Sequence, residues 1–403
     1  MPHSSGRATL VSKGSRMGSA SQSSVAEHRF GLSAPYTLGL EEEYMLLDPA
    51  TFALVQRADT ILGADQDGEF AARTSCEIFQ SEIEGQTPIC ATVGEAAVEL
   101  QRLRSHLEDA VAEQGLVLAS AGTHPFARYE DQLLTDRARY RGIVEDVQYP
   151  ARRELVFGLH VHIGVPDPET AIKVVRLLRP RVAELIALSA SSPFWRGLPS
   201  GLRSTRHVIF DVFPRSGLPP VFEGWDAFTA YVEALERAGV LDDYTRIWWD
   251  VRPHPRLGTV EVRAMDAVER VEDAVALAAY VQALVKQAAE AEPSPPSSAL
   301  EGALARENKW QAIRYGLEAA VVGADGEPIP IRSEILRTLD ELCDEASELE
   351  SETALLRVEQ IVRAGTGAER QLAVFAATGD IRAVTRTIAA ETRGAPAPRV
   401  TVE

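Results

Sequence analysis

The amino-acid sequence predicts an α+β protein, and three observations support that prediction. Strand-like segments are separated by hairpins as well as by helical segments, and the pattern beyond residue 298 is mostly helical. Neither G-x-G-x-x-G nor G-x-x-x-x-G-K-[ST] occurs, so the glycine-rich phosphate loop of many doubly wound sheets is missing. Hydrophobic residues make up 45% of the 403 residues and charged residues 25%, which is the composition of a globular protein with a large core.

Hydrophobic periodicity predicts the individual elements in order along the chain. Residues 95–113 predict a helix with apolar residues, Val98 among them, along one face. Residues 169–191 and 272–291 predict two further helices, and Pro180 interrupts the first of them. The predicted strands are residues 36–47, 116–120, 155–165, 206–213, 246–251 and 258–265.

The two ends of the chain and one internal segment are predicted to lie outside the folded core. Residues 1–26 hold eight serines and no acid, so a disordered extension over 1–30 is predicted, although an organellar transit peptide can have a similar composition. The Pro- and Ser-rich run 292–298 predicts a linker inside a single domain, residues 31–392. Residues 393–403 are predicted to form a flexible tail.

Charge and cysteine content exclude several classes of function. Fifty-nine acidic residues against 41 Lys and Arg give a formal charge of -18, which argues against a nucleic-acid surface. No apolar run approaches the roughly 18 residues of a membrane-spanning helix, so no membrane partner is expected. The three cysteines are odd in number and lack metal-ligand spacing, so neither a disulfide scaffold nor a zinc finger fits. We therefore expect a cytoplasmic protein.

Paired acids on the first predicted strand form one candidate for a functional site. Side chains alternate along a strand, so Glu41 and Glu43 point to one face and Glu42 points to the other. Two neighbouring carboxylates repel each other, and a divalent cation such as Mg²⁺ removes the repulsion by binding both. The alternative is a solvated edge strand whose charges discourage aggregation.

Later strands offer further ligand-type residues at the same i, i+2 spacing. His160 and His162 share one face and could bind a metal or a phosphate, or could be two hydrogen-bonded histidines of a core strand. Glu261 and Arg263 share a face either as an ordinary ion pair or as a metal ligand beside a guanidinium that binds an oxyanion. Arg252 lies just upstream, two residues after an aspartate.

A fourth segment, residues 77–87, carries three acids whose arrangement depends on the path of the chain. Glu82 and Glu84 share a face if the segment is a strand. Glu77 lies seven residues before Glu84, an odd step that turns the two side chains to opposite faces of a straight strand. Both reach one site only if a bulge or a turn intervenes. Four strands that each present ligand-type residues are hard to explain as independent surface decoration.

These segments together resemble the type 2 glutamate–cysteine ligase family, bacterial carboxylate–amine ligases that are related to glutamine synthetase. The resemblance runs from about Tyr36 to Thr387. It is carried, in the family's order, by residues 39–43 (GLEEE), 83–87 (IEGQT), 122–126 (GTHPF), 158–164 (GLHVHIG), 258–263 (GTVEVR) and 314–317 (RYGL). It implies a curved, mainly antiparallel sheet with helices packed on its outer face, and ATP with two or three Mg²⁺ ions, or Mn²⁺ in their place, on the concave face.

The resemblance also implies a reaction and roles for individual residues. Relatives use ATP to turn the γ-carboxylate of glutamate into a γ-glutamyl phosphate, which the amine of cysteine attacks to form an amide, with release of ADP and phosphate. The residues expected to bind metal are Glu41, Glu43, Glu77, Glu84, His160 and Glu261. The residues expected to bind ATP are His162, Arg252 and Arg263, and the expected catalytic residues are Arg206 and Arg263. Glu42 departs from the apolar residue that some relatives have between the paired acids, which leaves the burial of that strand face open.

Alternatives to glutamate and cysteine as substrates remain open at this point. The enzyme could join another acid and amine in a dedicated pathway, or it could be a phosphotransferase that stops at an acyl or guanidino phosphate. A nucleotide-binding regulator without turnover is the alternative outside enzymes, and the intact acidic set argues against it because idle buried carboxylates are costly. Small-molecule substrates are expected as partners, and a homodimer is plausible by resemblance.

Overall fold

The secondary structure was obtained from a computed structural model that describes residues 23–64, 68–292 and 298–394. The strands are β1 Leu38–Leu47, β2 Thr74–Cys76, β3 Glu82–Gln86, β4 Val117–Ala119, β5 Gly158–Gly164, β6 Phe194–Trp195, β7 Leu198–Pro199, β8 Ser216–Gly217, β9 Trp248–Trp249, β10 Val251–His254, β11 Thr259–Asp266, β12 Ala320–Val322 and β13 Pro328–Pro330. The α-helices are α1 Ala58–Ala64, α2 Val93–Glu113, α3 Ala138–Val147, α4 Tyr149–Arg152, α5 Pro168–Leu178, α6 Val182–Ser189, α7 Thr205–Phe210, α8 Trp225–Arg237, α9 Val271–Glu290, α10 Ala299–Tyr315, α11 Ile331–Glu341, α12 Cys343–Glu348, α13 Glu352–Ala364, α14 Gly367–Thr378 and α15 Ile381–Thr392.

Seven of the strands form one antiparallel sheet in the order β10–β11–β5–β1–β3–β2, with β4 also paired to β1. Strand β1 is therefore central, between β5 on one side and β3 with β4 on the other. Helices surround this sheet and fill most of the chain beyond residue 298. The predicted α+β class and the mainly antiparallel sheet are confirmed.

The two faces of the sheet differ in chemistry because side chains alternate along each strand. Leu40 of β1, Val161 of β5 and Val262 of β11 are buried in one core with residues of α2, α5, α6 and α9, and we call this the helix face. Burial of each such aliphatic side chain contributes roughly 1.5–3 kcal/mol. Glu41 and Glu43 lie on the opposite face, which we call the site face.

Helix α2 shows how the sequence places a helix against the helix face. Thr92 caps its first turn, since its side chain accepts a hydrogen bond from the backbone N–H of Glu95 at 3.2 Å. Leu100 and Leu103 are fully buried, but Val98 is 60% exposed, so its predicted place on the buried face is wrong. Two residues correspond to about 200° around a helix, which turns Val98 away from Leu100.

Two predicted strands are wrong in whole or in part. Residues 206–213 begin as helix α7, because the backbone N–H groups of Thr205 and Arg206 are held by the carbonyl and the hydroxyl of Ser192 and by no neighbouring strand. Residues 246–251 divide between β9, which pairs with β8, and β10 of the main sheet. The predicted break at Pro180 is confirmed, since α5 ends at Leu178 and α6 begins at Val182.

The predicted chain ends are only partly described. Of the predicted extension 1–30, the structure describes residues 23–30, in which residues 26–29 are exposed and Phe30 is buried. Val25 is fully buried, and the backbone N–H of Ser24 donates to Glu236 at 3.1 Å. Residues 1–22, most of the predicted linker (293–297) and most of the predicted tail (395–403) lie outside the described residues. None of the helices in the described ranges combines the length and the apolar character needed to cross a membrane.

A buried ion pair lies beneath β1, on the helix face. Glu42 is fully buried and Arg104 of α2 is 1% exposed. Nη2 and Nε of Arg104 donate to the two carboxylate oxygens of Glu42 at 2.6 and 2.9 Å. Nη2 also donates to the carbonyl of Val268 at 3.1 Å, and Nη1 donates to the carbonyl of Glu269 at 2.7 Å. The polar residue between the paired acids therefore does not make this face solvent-exposed. The ion pair between Glu42 and Arg104 joins β1, α2 and the segment that follows β11.

Replacing Arg104 by Met should lower the free energy of unfolding by about 3–5 kcal/mol, because the substitution leaves the buried Glu42 carboxylate without its cation and with only the hydroxyl of Tyr44 as a donor. Urea denaturation with an unchanged slope would measure this loss. The control is Arg102→Met on the same helix, which removes surface pairs with Glu69 and Glu99 and should change little. Equal losses in the two variants would contradict the importance assigned to the buried pair.

Candidate active site

Nine of the ten residues predicted for the site line one cavity of about 240 Å³ on the site face. They are Glu41, Glu43, Glu77, Glu84, His160, His162, Arg252, Glu261 and Arg263. The register of the sheet brings them together, because Glu41 is opposite His160, Glu43 is opposite Glu84, and Glu261 is opposite both His162 and Arg252. Side chains alternate along each strand and the strands pair in this register, so the predicted residues form one cluster.

Glu77 reaches the cavity because the chain turns between it and Glu84. Strand β2 ends at Cys76, and the backbone N–H of Glu77 donates to the carbonyl of Glu82 at 3.5 Å across the turn. Glu77 and Glu84 are seven residues apart, and this turn is what allows both side chains to face the same cavity. Glu82 is 2% exposed and does not line the cavity.

The two histidines contact the carboxylates from β5. His160 places Nδ1 3.3 Å from one oxygen of Glu41 and Nε2 3.9 Å from an oxygen of Glu43. His162 places Nε2 3.3 Å from the other oxygen of Glu41, while its Nδ1 lies 3.1 Å from the hydroxyl of Thr259. Both Nε2 atoms are buried and make no hydrogen bond to the described residues. Nε2 of His160, 3.9 Å from Glu43, is therefore available to a ligand or a cation, whereas Nε2 of His162 already lies next to Glu41.

Glu261 is held between two arginines at one end of the cavity. Arg252 donates from Nε to Glu261 at 2.6 Å and from Nη2 at 3.2 Å, and its Nη1 donates to the carbonyl of Thr245 at 3.0 Å. Arg263 forms an ion pair with the same carboxylate. Burial opposes ionisation, but Arg252 and Arg263 outweigh it and hold the pKa of Glu261 well below its usual range.

The other end of the cavity has excess negative charge. Burial, followed by repulsion from Glu41 and Glu43, raises the pKa of Glu84 to about 7. Burial and the neighbouring Glu84 raise the pKa of Glu77 well above its usual value. Burial and Glu43 raise the pKa of Glu154, a cavity residue that the sequence did not point to, to about 8. These carboxylates ionise readily only when cations accompany them.

Two sets of side chains in the described residues could each hold a metal ion. Glu41, His160 and Glu261 offer ligand atoms within 4.8 Å of one another, and so do Glu43, Glu84 and His160. Carboxylate oxygens dominate both sets, which suits a hard cation such as Mg²⁺. The raised pKa values and the buried, unbonded Nε2 of His160 indicate the same need for positive charge. The residues present therefore fit the expected metal.

Arg206 is the predicted residue that does not line the cavity. It is 3% exposed, its Nη1 donates to the carbonyl of Arg263 at 3.2 Å, and its guanidinium lies 5.7 Å from the ring of Phe210, which does line the cavity. Arg206 therefore contacts the strand that carries Arg263 from outside the cavity. Its catalytic role stays a prediction.

Several cavity residues were not found from the sequence. Gln86 follows Glu84 by two residues on β3, so the same spacing rule could have found it. Glu154 precedes β5 on an irregular segment, where side chains follow no strand period. Phe210 and Trp248 lie in the predicted strands 206–213 and 246–251, in which no ligand-type spacing includes them. The aspartate upstream of Arg252, Asp250, instead forms a buried ion pair with Lys309 at 2.8 Å and lies outside the cavity.

Comparison with solved structures defines the class of protein. The crystal structure of glutamate–cysteine ligase from Francisella tularensis, in complex with AMP, matches with a TM-score of 0.67 at 14% identity and covers 91% of both chains. A bifunctional glutathione synthetase from Pasteurella multocida matches with a TM-score of 0.66 at 16% identity, over 89% of this chain and 52% of that one. At these identities the likeness shows the fold, which is that of the glutamate–cysteine ligases.

Comparison of sequences gives the family. Residues 37–387 match the family described as glutamate-cysteine ligase family 2. A Rubrobacter xylanophilus protein named "Putative glutamate--cysteine ligase 2-1" is 42% identical over 370 residues, which cover 92% of this chain and 98% of that protein. A Herpetosiphon aurantiacus protein named "Putative glutamate--cysteine ligase 2" is 38% identical and covers 91% and 96%. The chain belongs to glutamate-cysteine ligase family 2 and is an ATP-dependent carboxylate–amine ligase of this type.

The acidic end of the cavity should make the metal-free protein less stable as pH rises. Glu84 and Glu154, with pKa values of about 7 and 8, hold protons in the folded state that the unfolded chain releases near its ordinary pKa of 4.5. Between about pH 6.5 and 8.5 the folded state therefore binds more protons, and we expect the melting temperature in EDTA to fall by roughly 5 °C.

Saturating Mg²⁺ should raise the melting temperature more at the higher pH, because cations favour the ionised carboxylates. Glu84→Gln should flatten the pH dependence in EDTA, whereas the exposed control Glu352→Gln should not. An unchanged slope in Glu84→Gln would show that Glu84 does not titrate in this range.

Proposed function

We propose that the enzyme joins L-glutamate to L-cysteine through a γ-glutamyl phosphate, with release of ADP and phosphate. The single observation that carries the proposal is the division of one cavity into an arginine-bound end, at Glu261, and a carboxylate-rich end, at Glu43 and Glu84. A triphosphate needs both cations and arginines, and a cavity with these two ends supplies sites for both. The names of the relatives support glutamate and cysteine as the substrates.

The chemistry explains why the site needs ATP. A carboxylate and an amine form a salt at neutral pH, so the carboxylate oxygen must first become part of a good leaving group. Mg²⁺ held by the two ligand sets would supply charge neutralisation of the triphosphate. Arg263, a planar donor beside the cavity, would stabilise the transferred phosphoryl group, and Glu261 orients both Arg263 and Arg252.

We propose that the nucleotide base lies in a second cavity of about 200 Å³. It shares Glu41, Gln86 and His162 with the first cavity. Its rim carries the exposed apolar side chains Ile89 and Leu257. An apolar pocket continuous with a phosphate site suits a flat purine ring.

The order of residues along β1 then sets the direction of the nucleotide. The base cavity adjoins Glu41, and Glu43 lies two residues, or roughly 7 Å, further along the same face of the strand. The terminal phosphate therefore lies toward Glu43 and Arg263. The acid and the amine occupy the end that Glu84 and Glu154 line.

Gly39→Val tests the position of the base. Gly39 lines the second cavity on the same strand face as Glu41, and a Cβ added there would meet no described atom within 4 Å. The valine should fill the cavity and raise the KM for ATP by at least about 10-fold, with little loss of stability. Gly94→Val, at an exposed position in the first turn of α2, is the control for the fold. An unchanged KM for ATP would place the base elsewhere.

Hydroxylamine trapping tests the intermediate and the metal together. The nucleophile should intercept the acyl phosphate, so hydroxamate should form with L-glutamate, ATP and Mg²⁺ in the absence of cysteine. EDTA should abolish the reaction, and added Mg²⁺ or Mn²⁺ should restore it, because the clustered carboxylates need cations. Hydroxamate without any amide would indicate a phosphotransferase, and release of AMP and pyrophosphate would exclude the acyl-phosphate route.

A further inference from the structure

The carboxylate-rich end of the active-site cavity contains one acid that neither set of metal-ligating side chains includes. Glu154 lies between α4 and β5, and its side chain lines the cavity. Among the described residues it has neither an ion pair nor a side-chain hydrogen bond. The nearby cations Arg206 and Arg263 form no ion pair with it: Nη1 of Arg206 donates to the carbonyl of residue 263, and Nη1 of Arg263 pairs with Glu261. Glu154 is therefore a cavity carboxylate without an assigned partner.

The position of Glu154 in the cavity connects it with the step in which the amine attacks the acyl phosphate. The charged groups that influence it are Glu43, Arg206 and Arg263, and of these Glu43 and Arg263 line the part of the cavity proposed for the terminal phosphate. The base cavity lies at the other end, next to Glu41. A ligand bound by Glu154 would thus stand beside the carbon from which phosphate leaves.

An unpaired carboxylate in a cavity wall is unfavourable until a cation binds beside it. The amine substrate of a carboxylate–amine ligase reaches the enzyme as an ammonium ion. We propose that Glu154 forms the subsite for this ammonium group, so that the cavity selects a protonated primary amine. The ammonium group passes one proton to the Glu154 carboxylate, and the neutral amine then attacks the acyl phosphate as phosphate leaves. This inference rests on the proposed function and extends it to the binding of the second substrate.

The test compares two nucleophiles that differ in charge. Hydroxylamine is largely uncharged at neutral pH and does not need a carboxylate partner, whereas the amine of L-cysteine is largely protonated. In Glu154→Gln we expect the KM for L-cysteine, or for whichever primary amine of a panel forms the amide, to rise about 10- to 100-fold, the scale of one lost hydrogen bond to a charged group. Hydroxamate formation at saturating L-glutamate should stay within about twofold, since its nucleophile is neutral.

Two further variants separate this role from general damage. Glu82→Gln replaces a buried acid on β3 that lies close to the same charges but does not line the cavity, and it should leave both reactions unchanged. Arg263→Lys keeps the charge and loses the planar fork, so it should lower hydroxamate and amide formation alike by about 100-fold. A selective effect on amide formation in Glu154→Gln would support the ammonium subsite.

Three results would overturn the inference. Equal losses of hydroxamate and amide in Glu154→Gln would show that Glu154 serves the acid substrate or the fold. A higher Mg²⁺ requirement for hydroxamate formation would make Glu154 a metal ligand. Unchanged kinetics with both nucleophiles would leave the ammonium group to another residue. Absence of hydroxamate in the unaltered enzyme would instead overturn the proposed function, on which the subsite depends.

Discussion

The buried ion pair between Glu42 and Arg104 determines which face of β1 carries the paired carboxylates. Three consecutive glutamates make the strand ambiguous, because a slip of one residue would exchange Glu41 and Glu43 for Glu42. Arg104 resolves this ambiguity, since its guanidinium lies on the helix face and binds Glu42 there at 2.6 and 2.9 Å. Glu41 and Glu43 must then face the cavity. The register of β3 and β5 against β1 places Glu84 and His160 beside them.

The cavity is uneven in charge, and this unevenness connects stability to ligand binding. At the Glu261 end, two arginines accompany one carboxylate. At the other end, burial makes Glu77, Glu84 and Glu154 costly to ionise, Glu43 repels all three, and Glu77 is also repelled by Glu84 and Glu154. The cations that complete the site are therefore also the groups that relieve its repulsion, so a loss of metal affects the fold and the chemistry together.

Features that depend on the period of a strand could be predicted from the sequence, and features that depend on the path of the chain could not. Two-residue spacing was enough to place paired residues such as Glu41 and Glu43 on one face of their own strand, and the family resemblance supplied the common site and the fold. Glu154 lies on an irregular segment, where no period applies. Residues 206–213 look strand-like locally, but contacts with Ser192 turn their start into helix α7.

The central place of β1 has a consequence for how the molecule is made. Strand β1 lies near the start of the chain, yet the site it carries is complete only when β11, more than half the chain later, pairs with β5. Pairings of such wide sequence separation form late and slowly, because the intervening chain must first be ordered. While the chain is being synthesised, the acidic face of β1 therefore lacks the positive charges of Arg252 and Arg263. Repulsion between its carboxylates keeps that face hydrated and disfavours pairing with strands of other chains. The carboxylates that the site requires therefore also protect the nascent chain from aggregation.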